Sequence, residues 1–221
     1  MITPLFSKSF RFGRPVSQDP YAAYVTNLLH FDGVNGSTTF IDEVPKTWSA
    51  FGTVSLSTTR SMFGPSSLSL GGSASDYINT SSGNTFNGDF TVECWVYPTA
   101  NSVFANLLSL GDESANRLAL SIDGGVLKYD IFAGSLEPII GGNVPLNQWT
   151  HIAYSRQGSS LRGFVGGVLV GTVNQGGTLG NANGMSIGQR FNGWVDEFRI
   201  TKGVARYTNT FIPPTSVFPN P

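Results

Sequence analysis

From residue 27 onward the chain is cut into short apolar runs by glycine, asparagine, serine and proline, and this punctuation limits the fold more than any other feature. The runs cover 28–31, 67–70, 77–79, 90–97, 106–110, 117–122, 126–131, 149–156, 161–165, 168–173, 185–187 and 195–200. A strand needs only a few residues, whereas a helix needs a 3.6-residue apolar stripe over about three turns. No segment has such a stripe, and helix is expected only as a turn around 201–206. Strands at this spacing with turn signals between them predict a sandwich or a barrel. Charged residues make up 12% of the chain, about half the usual share. Their place is taken by 27 glycines and many Ser, Thr and Asn, residues that favour turns over helix. A hydrophobic share of 40%, with 16 Phe, supplies a core. The single cysteine, Cys94, excludes an intrachain disulfide.

Two hairpins can be placed. Asp123-Gly124 separates two apolar runs, and Gly166-Gly167 does the same at positions where both central residues can need positive φ. The run 90–97 alternates with period 2. Phe90, Val92, Cys94 and Val96 form the better core face; Thr91, Glu93, Trp95 and Tyr97 point the other way, toward loops, the chain's own arm or a partner.

Residues 1–26 read as an extended arm. They carry Lys8, Arg11, Arg14, prolines at 4, 15 and 20, and Phe6, Phe10 and Phe12. Proline excludes a regular helix there, and so short a segment buries its aromatics only against its own domain or a neighbour. The predicted division is an arm over 1–26, a sandwich over 27–212 and a proline-rich tail over 213–221. A net charge of −1 without a basic patch excludes nucleic acid as the expected partner. No apolar run nears the roughly 20 residues of a membrane span. The first residues lack the basic-then-apolar layout of a signal peptide, so export by that route is not expected.

Four ordered segments carry a family likeness. Residues 89–98, DFTVECWVYP, and 148–156, QWTHIAYSR, resemble two strands of the laminin-G-like, concanavalin A-like jelly rolls. Residues 161–171, LRGFVGGVLVG, resemble their hairpin, with Gly166 where Asn is usual. Residues 191–200, FNGWVDEFRI, resemble their closing strand. The opening Leu28 to Gly33 and the closing Thr201 to Thr208 are similar to the version found in structural and tail-fibre proteins of tailed bacteriophages. The resemblance implies an all-β, two-sheet antiparallel jelly-roll sandwich with an extended N-terminal arm. It implies about a dozen strands, the first beside the last. It also implies ligands, carbohydrate or protein, taken by loops at one rim, and often one structural calcium. Asp32 and Asp196 match positions that border that metal. The other reading has Asp32 capping the turn before Gly33, and Asp196 pairing with Arg199 or a backbone amide. No cofactor is otherwise required.

Catalysis is not expected. Glucanases of this class need two carboxylates on one strand face; Glu93 is alone on its strand, and adjacent Asp196 and Glu197 should point to opposite faces. His30 and His151, with one cysteine, are too few for a usual zinc site and read as hydrogen-bonded structural histidines. Trp48, Phe104, and Phe191 with Asn192 are the loop candidates for a glycan, each equally able to serve core or interface. The resemblance and the arm together lead to a non-catalytic virion protein, a capsid decoration (cement) protein, held to other virion proteins by residues 1–26. The alternative is a tail-fibre or receptor-binding lectin module adhering to host glycan. A homo-oligomer is expected, with a trimer as the guess.

Overall fold

The computed structural model describes residues 19–82, 85–110, 117–132, 141–180 and 184–221. Among these it forms a 3-10 turn, Ala22–Tyr24, and fifteen strands. They are β1 (Val25–Leu29), β2 (Ser49–Phe51), β3 (Ser55–Ser57), β4 (Ser67–Gly71), β5 (Tyr77–Thr80), β6 (Phe90–Pro98), β7 (Ala105–Leu110) and β8 (Arg117–Asp123). There follow β9 (Val126–Phe132), β10 (Gly141–Asn143), β11 (Thr150–Gln157), β12 (Ser160–Val165), β13 (Val168–Asn174), β14 (Met185–Ile187) and β15 (Asn192–Lys202). Two antiparallel sheets pack face to face as a jelly-roll sandwich. The first runs β13-β12-β11-β6-β15-β4-β3; the second runs β10-β9-β8-β7-β14-β5-β2. β15 is long enough for two neighbours on one edge: β4 pairs with residues 192–195 and β1 with 198–201. The first strand thus lies beside the last.

Alternation places the core. Phe90, Val92, Cys94 and Val96 of β6 are buried between the sheets with Ile152, Phe198 and Ile200, facing Ile78, Leu108, Leu120 and Leu127 of the second sheet. Tyr154 crosses the core, its hydroxyl 2.6 Å from the Lys128 carbonyl and 3.1 Å from that of Ser121. Both carbonyls belong to the second sheet, so one phenol links the layers.

Several expectations need correction. Residues 1–18 lie outside the described residues, but 19–26 are sandwich rather than arm: Asp19 is buried among arginines and β1 starts at Val25. The proline-rich tail over 213–221 packs on the sandwich, where Phe218 is buried with Val25 and Leu28. No helical turn forms at 201–206, because β15 continues to Lys202. The β8–β9 turn centres on Gly124-Gly125, with φ of 58° and 84°, one residue later than the Asp-Gly pair suggested. β2, β3 and β10 were not foreseen; they are three-residue strands of mostly Ser, Gly and Asn without an apolar run.

Candidate functional site

The outer face of the first sheet divides into a covered half and an open half. On the covered half Thr91 and Glu93 of β6, His151 and Ser155 of β11, and Arg199 of β15 project away from the core. Burying such groups costs several kcal/mol unless they are paired, and here they pair with one another, with Asp19 and with residues 204–207. Arg199 donates to Glu93 Oε1 through Nε at 2.9 Å and Nη2 at 2.7 Å, and through Nη1 to Asp19 at 3.2 Å. Arg206 holds both Asp19 oxygens, at 2.9 and 2.6 Å. The other Glu93 oxygen accepts from Tyr207 at 2.7 Å and lies 3.2 Å from His151 Nε2. Burial alone would raise the Glu93 pKa. The Arg199 charge, the His151 hydrogen bond and the Arg206 charge instead carry it well below the usual carboxylate range. Above this cluster Tyr207 stacks on Phe211, and Phe218 lies 3.8 Å over the Arg199 guanidinium. The aromatic side of β6 is therefore covered here by the C-terminal segment.

The end of that segment is clasped at His30. Its Nδ1 is 2.8 Å from Glu197 Oε1 and its Nε2 is 2.7 Å from Asn220 Oδ1, while Glu197 Oε2 accepts from the Phe218 amide at 2.8 Å. Burial works against charge on His30, but the Glu197 and Asn220 hydrogen bonds and the Glu197 charge raise its pKa to about 9.

Asp196 and Glu197 do not point to opposite faces. The register of β15 slips between Asp196 and Arg199, with Glu197 at φ 51°. This bulge adds a residue to one strand and breaks the alternation, so both carboxylates find their partners on the outer side. Neither is presented to a cleft. Asp196 Oδ2 accepts from the Met62 and Phe63 amides at 2.7 and 3.2 Å, and its Oδ1 from the Glu197 amide at 2.9 Å. Burial raises the Asp196 pKa to about 8 against those amide bonds, with the Glu197 charge adding to the rise. Asp32 is exposed and abuts the same loop: a Cβ on Gly64 would stand 2.1 Å from its Oδ1. Among the described residues no group of three or more His, Cys, Asp or Glu could hold a metal ion.

The open half carries an aromatic row. Tyr97 of β6 lies beside Trp194 of β15 in register, and Trp149 stands just before β11 on the other side. Tyr97 meets Trp149 edge-to-face at 5.6 Å and Trp194 at 5.8 Å. All three are half-buried. The Arg60 guanidinium sits 4.4 Å over the Tyr97 ring and 5.2 Å from that of Trp194. Two neighbouring strands and the approach to a third thus bring aromatic rings and a cation together at one end of the sheet. That combination suits a ligand with both apolar and polar faces.

The loop candidates fare differently. Trp48 is buried and donates to Asp42 at 3.1 Å. Phe191 is buried in the core, and Asn192 accepts from the Thr99 hydroxyl at 2.7 Å. Phe104 alone is exposed, at a φ of 53°. The row itself was missed; its signal was the aromatic, outward-pointing side of β6, to which Trp149 and Trp194 add one ring on each flank.

A family model described as the concanavalin A-like lectin/glucanases superfamily matches residues 71–206. No curated protein matches the chain. Among solved structures, the chain is similar to domain 4 of AbnA, a GH43 extracellular arabinanase from Geobacillus stearothermophilus, in complex with arabinotriose. Identity is 21%, coverage is 82% of this chain and 93% of that one, and the TM-score is 0.63. It is also similar to a structure concerning cell entry of botulinum neurotoxin type C through two ganglioside molecules, at 14% identity, 83% and 49% coverage, and a TM-score of 0.62. A third is the binding domain of botulinum neurotoxin DC in complex with SialylT, at 13% identity, 83% and 49% coverage, and a TM-score of 0.61. The chain spans about half the length of these neurotoxin chains. At such identities the likeness establishes the fold, and the family match establishes membership: the chain belongs to the laminin-G-type family of the concanavalin A-like lectin/glucanases superfamily.

Proposed function

We propose that the chain is a non-catalytic carbohydrate-binding module displayed on the particle of a tailed phage. The observation that carries the binding reading is the open row of Trp149, Tyr97 and Trp194 with Arg60 above it. Support comes from the solved structures of this fold whose names include arabinotriose, ganglioside and SialylT. The non-catalytic part rests on Glu93, Asp196 and Glu197, each buried and spent on named partners. On a glycan array the wild-type chain should retain a defined set of oligosaccharides. Trp149→Ala and Tyr97→Ala should each weaken retention about tenfold, equivalent to about 1.4 kcal/mol. Unchanged retention in both variants would remove the row from the reading.

The virion placement, with a capsid-decoration role ahead of a tail-fibre one, rests on the phage-like segments at Leu28 to Gly33 and Thr201 to Thr208. Residues 1–18 are the proposed attachment to other virion proteins, since Asp19 already serves the sandwich. Deleting 1–18 should abolish incorporation into particles and leave the melting temperature within a few degrees. Normal incorporation would refute the placement.

A structural calcium at Asp32 and Asp196 belongs to the same proposal. Both carboxylates close on the loop 61–64, and a cation beside Asp196 would offset the burial that raises its pKa to about 8. Loop carbonyls would supply the remaining oxygens of the six to eight required. Calcium at 100 times its Kd should stabilise EDTA-treated protein by about 2.7 kcal/mol; an unchanged melting temperature would reject the ion.

A further inference from the structure

The arginines of the covered half are consumed by the fold. Arg199 and Arg206 are paired with Glu93 and Asp19; on the inner side of the same sheet Arg156, in register with core-facing Phe90, donates to three backbone carbonyls. Arg60 is different. It is exposed, and among the described residues its guanidinium makes no ion pair and no hydrogen bond; its contacts are the rings of Tyr97 and Trp194. Its backbone is anchored, because the Arg60 carbonyl accepts from the Ser67 hydroxyl at 2.6 Å, and Ser67 lies in β4. Asp196, which meets the loop just after Arg60, spends its Oδ2 on the Met62 and Phe63 amides. The buried Trp194 Nε1 likewise has no partner among the described residues. A planar fork of donors with only π partners is matched in shape and charge by a carboxylate, which takes two parallel N–H bonds from it. The rings beneath suit the apolar face of a sugar.

Resting on the carbohydrate reading, we infer that the row of Trp149, Tyr97 and Trp194 takes an acidic saccharide, a uronate or sialate, whose carboxylate is received by Arg60. The aromatic row supplies sugar contact whatever the charge. Arg60 supplies the preference for an acid over its neutral counterpart.

The test pairs each acidic probe with a neutral one: oligogalacturonate with its methyl ester, and a sialylated oligosaccharide with its desialylated form. The wild-type chain should bind one of the two acids at least tenfold tighter than its neutral partner, and which acid it is separates the uronate source from the sialate source. Arg60→Gln should remove that preference without lowering the melting temperature. Arg60→Lys should restore only part of it, since a point charge lacks the fork. Trp149→Ala should weaken acid and neutral probes alike. Equal binding of acid and neutral probes, or an acid preference that survives Arg60→Gln, would overturn this inference and leave the carbohydrate reading standing. Absence of binding to all four probes and to a broad glycan array would overturn both.

Discussion

Replacing Glu93 by leucine should destabilise the sandwich by about 3–5 kcal/mol, the range for removing one member of a buried ion pair. In a chain of this length that corresponds to a fall of roughly 6–20 °C in melting temperature. The cost lies in what is left behind. Arg199, the Tyr207 hydroxyl and His151 all converge on this one carboxylate; Arg199 and His151 are buried and Tyr207 is half-buried, so little solvent can replace it. Converting Arg199 to Met in the same protein should recover part of the loss, because the stranded cation is then gone. A single-variant cost below 1 kcal/mol in urea unfolding would show that the cluster tolerates an unpaired arginine.

The same cluster sets the response to acid. The folded pKa of Glu93 lies below its ordinary 4.5, and that of Asp19 below 3.8. Their contribution is therefore present above those ordinary values and is lost as pH falls toward the folded ones. His30 works in the opposite sense. Its pKa rises from 6.5 to about 9, so its contribution is complete below pH 6.5 and disappears as pH rises through 9. Asp196, raised from 3.8 to about 8, adds a loss that begins as pH rises past about 4 and is complete above 8. Melting temperature should fall on both sides of mildly acidic pH, and Glu93→Leu should flatten the acid limb while leaving the alkaline one.

The two-sheet architecture was legible because its determinants are local. The alternation over 90–97 names the core face of β6 from four side chains, and Gly166-Gly167 shows its turn by the positive φ that both residues adopt, 58° and 78°. The register of β15 was not legible. Whether Asp196 and Glu197 diverge depends on one bulged residue, and the sequence carries no mark of it beyond what the sheet imposes. The covered half was hidden for a related reason. Asp19 and Arg206 are 187 residues apart and meet only because β1 closes on β15. The aromatic row lies between these cases. Tyr97 was recognised as outward-pointing, but which outward aromatics stay open depends on where residues 204–220 come to rest. Trp48 and Phe191 stayed open between core and interface because a large ring in a connecting segment looks the same whether it caps the core or faces water; both prove buried.

Arg156→Met should cost about as much as Glu93→Leu, for a different reason. Arg156 is among the largest fully buried side chains in the described protein, yet its partners are carbonyls rather than carboxylates. Nε donates to Gly88 at 2.9 Å, Nη1 to Gly177 at 2.7 Å and Nη2 to Phe86 at 3.1 Å, with Gly88 receiving Nη2 as well. One guanidinium thus joins the approach to β6 with the segment after β13, beside the isolated bridge of Phe86 and Leu179. Methionine keeps the packing against Phe90, leaves the Gly88 and Gly177 carbonyls without this donor, and leaves the Phe86 carbonyl with the Leu179 amide alone. Each unsatisfied group costs about 1–3 kcal/mol, so a loss of about 3–5 kcal/mol is expected in urea unfolding. Hydrogen exchange gives the local readout: the Phe86 and Leu179 amides, which bond to each other's carbonyls at 2.8 and 2.9 Å, should lose protection before the core strands do. Arg156→Lys should recover only part of the loss, because three donors on one nitrogen cannot span carbonyls approached from separate edges of a fork. Full recovery with lysine would mean that a buried point charge suffices and that the fork geometry contributes nothing.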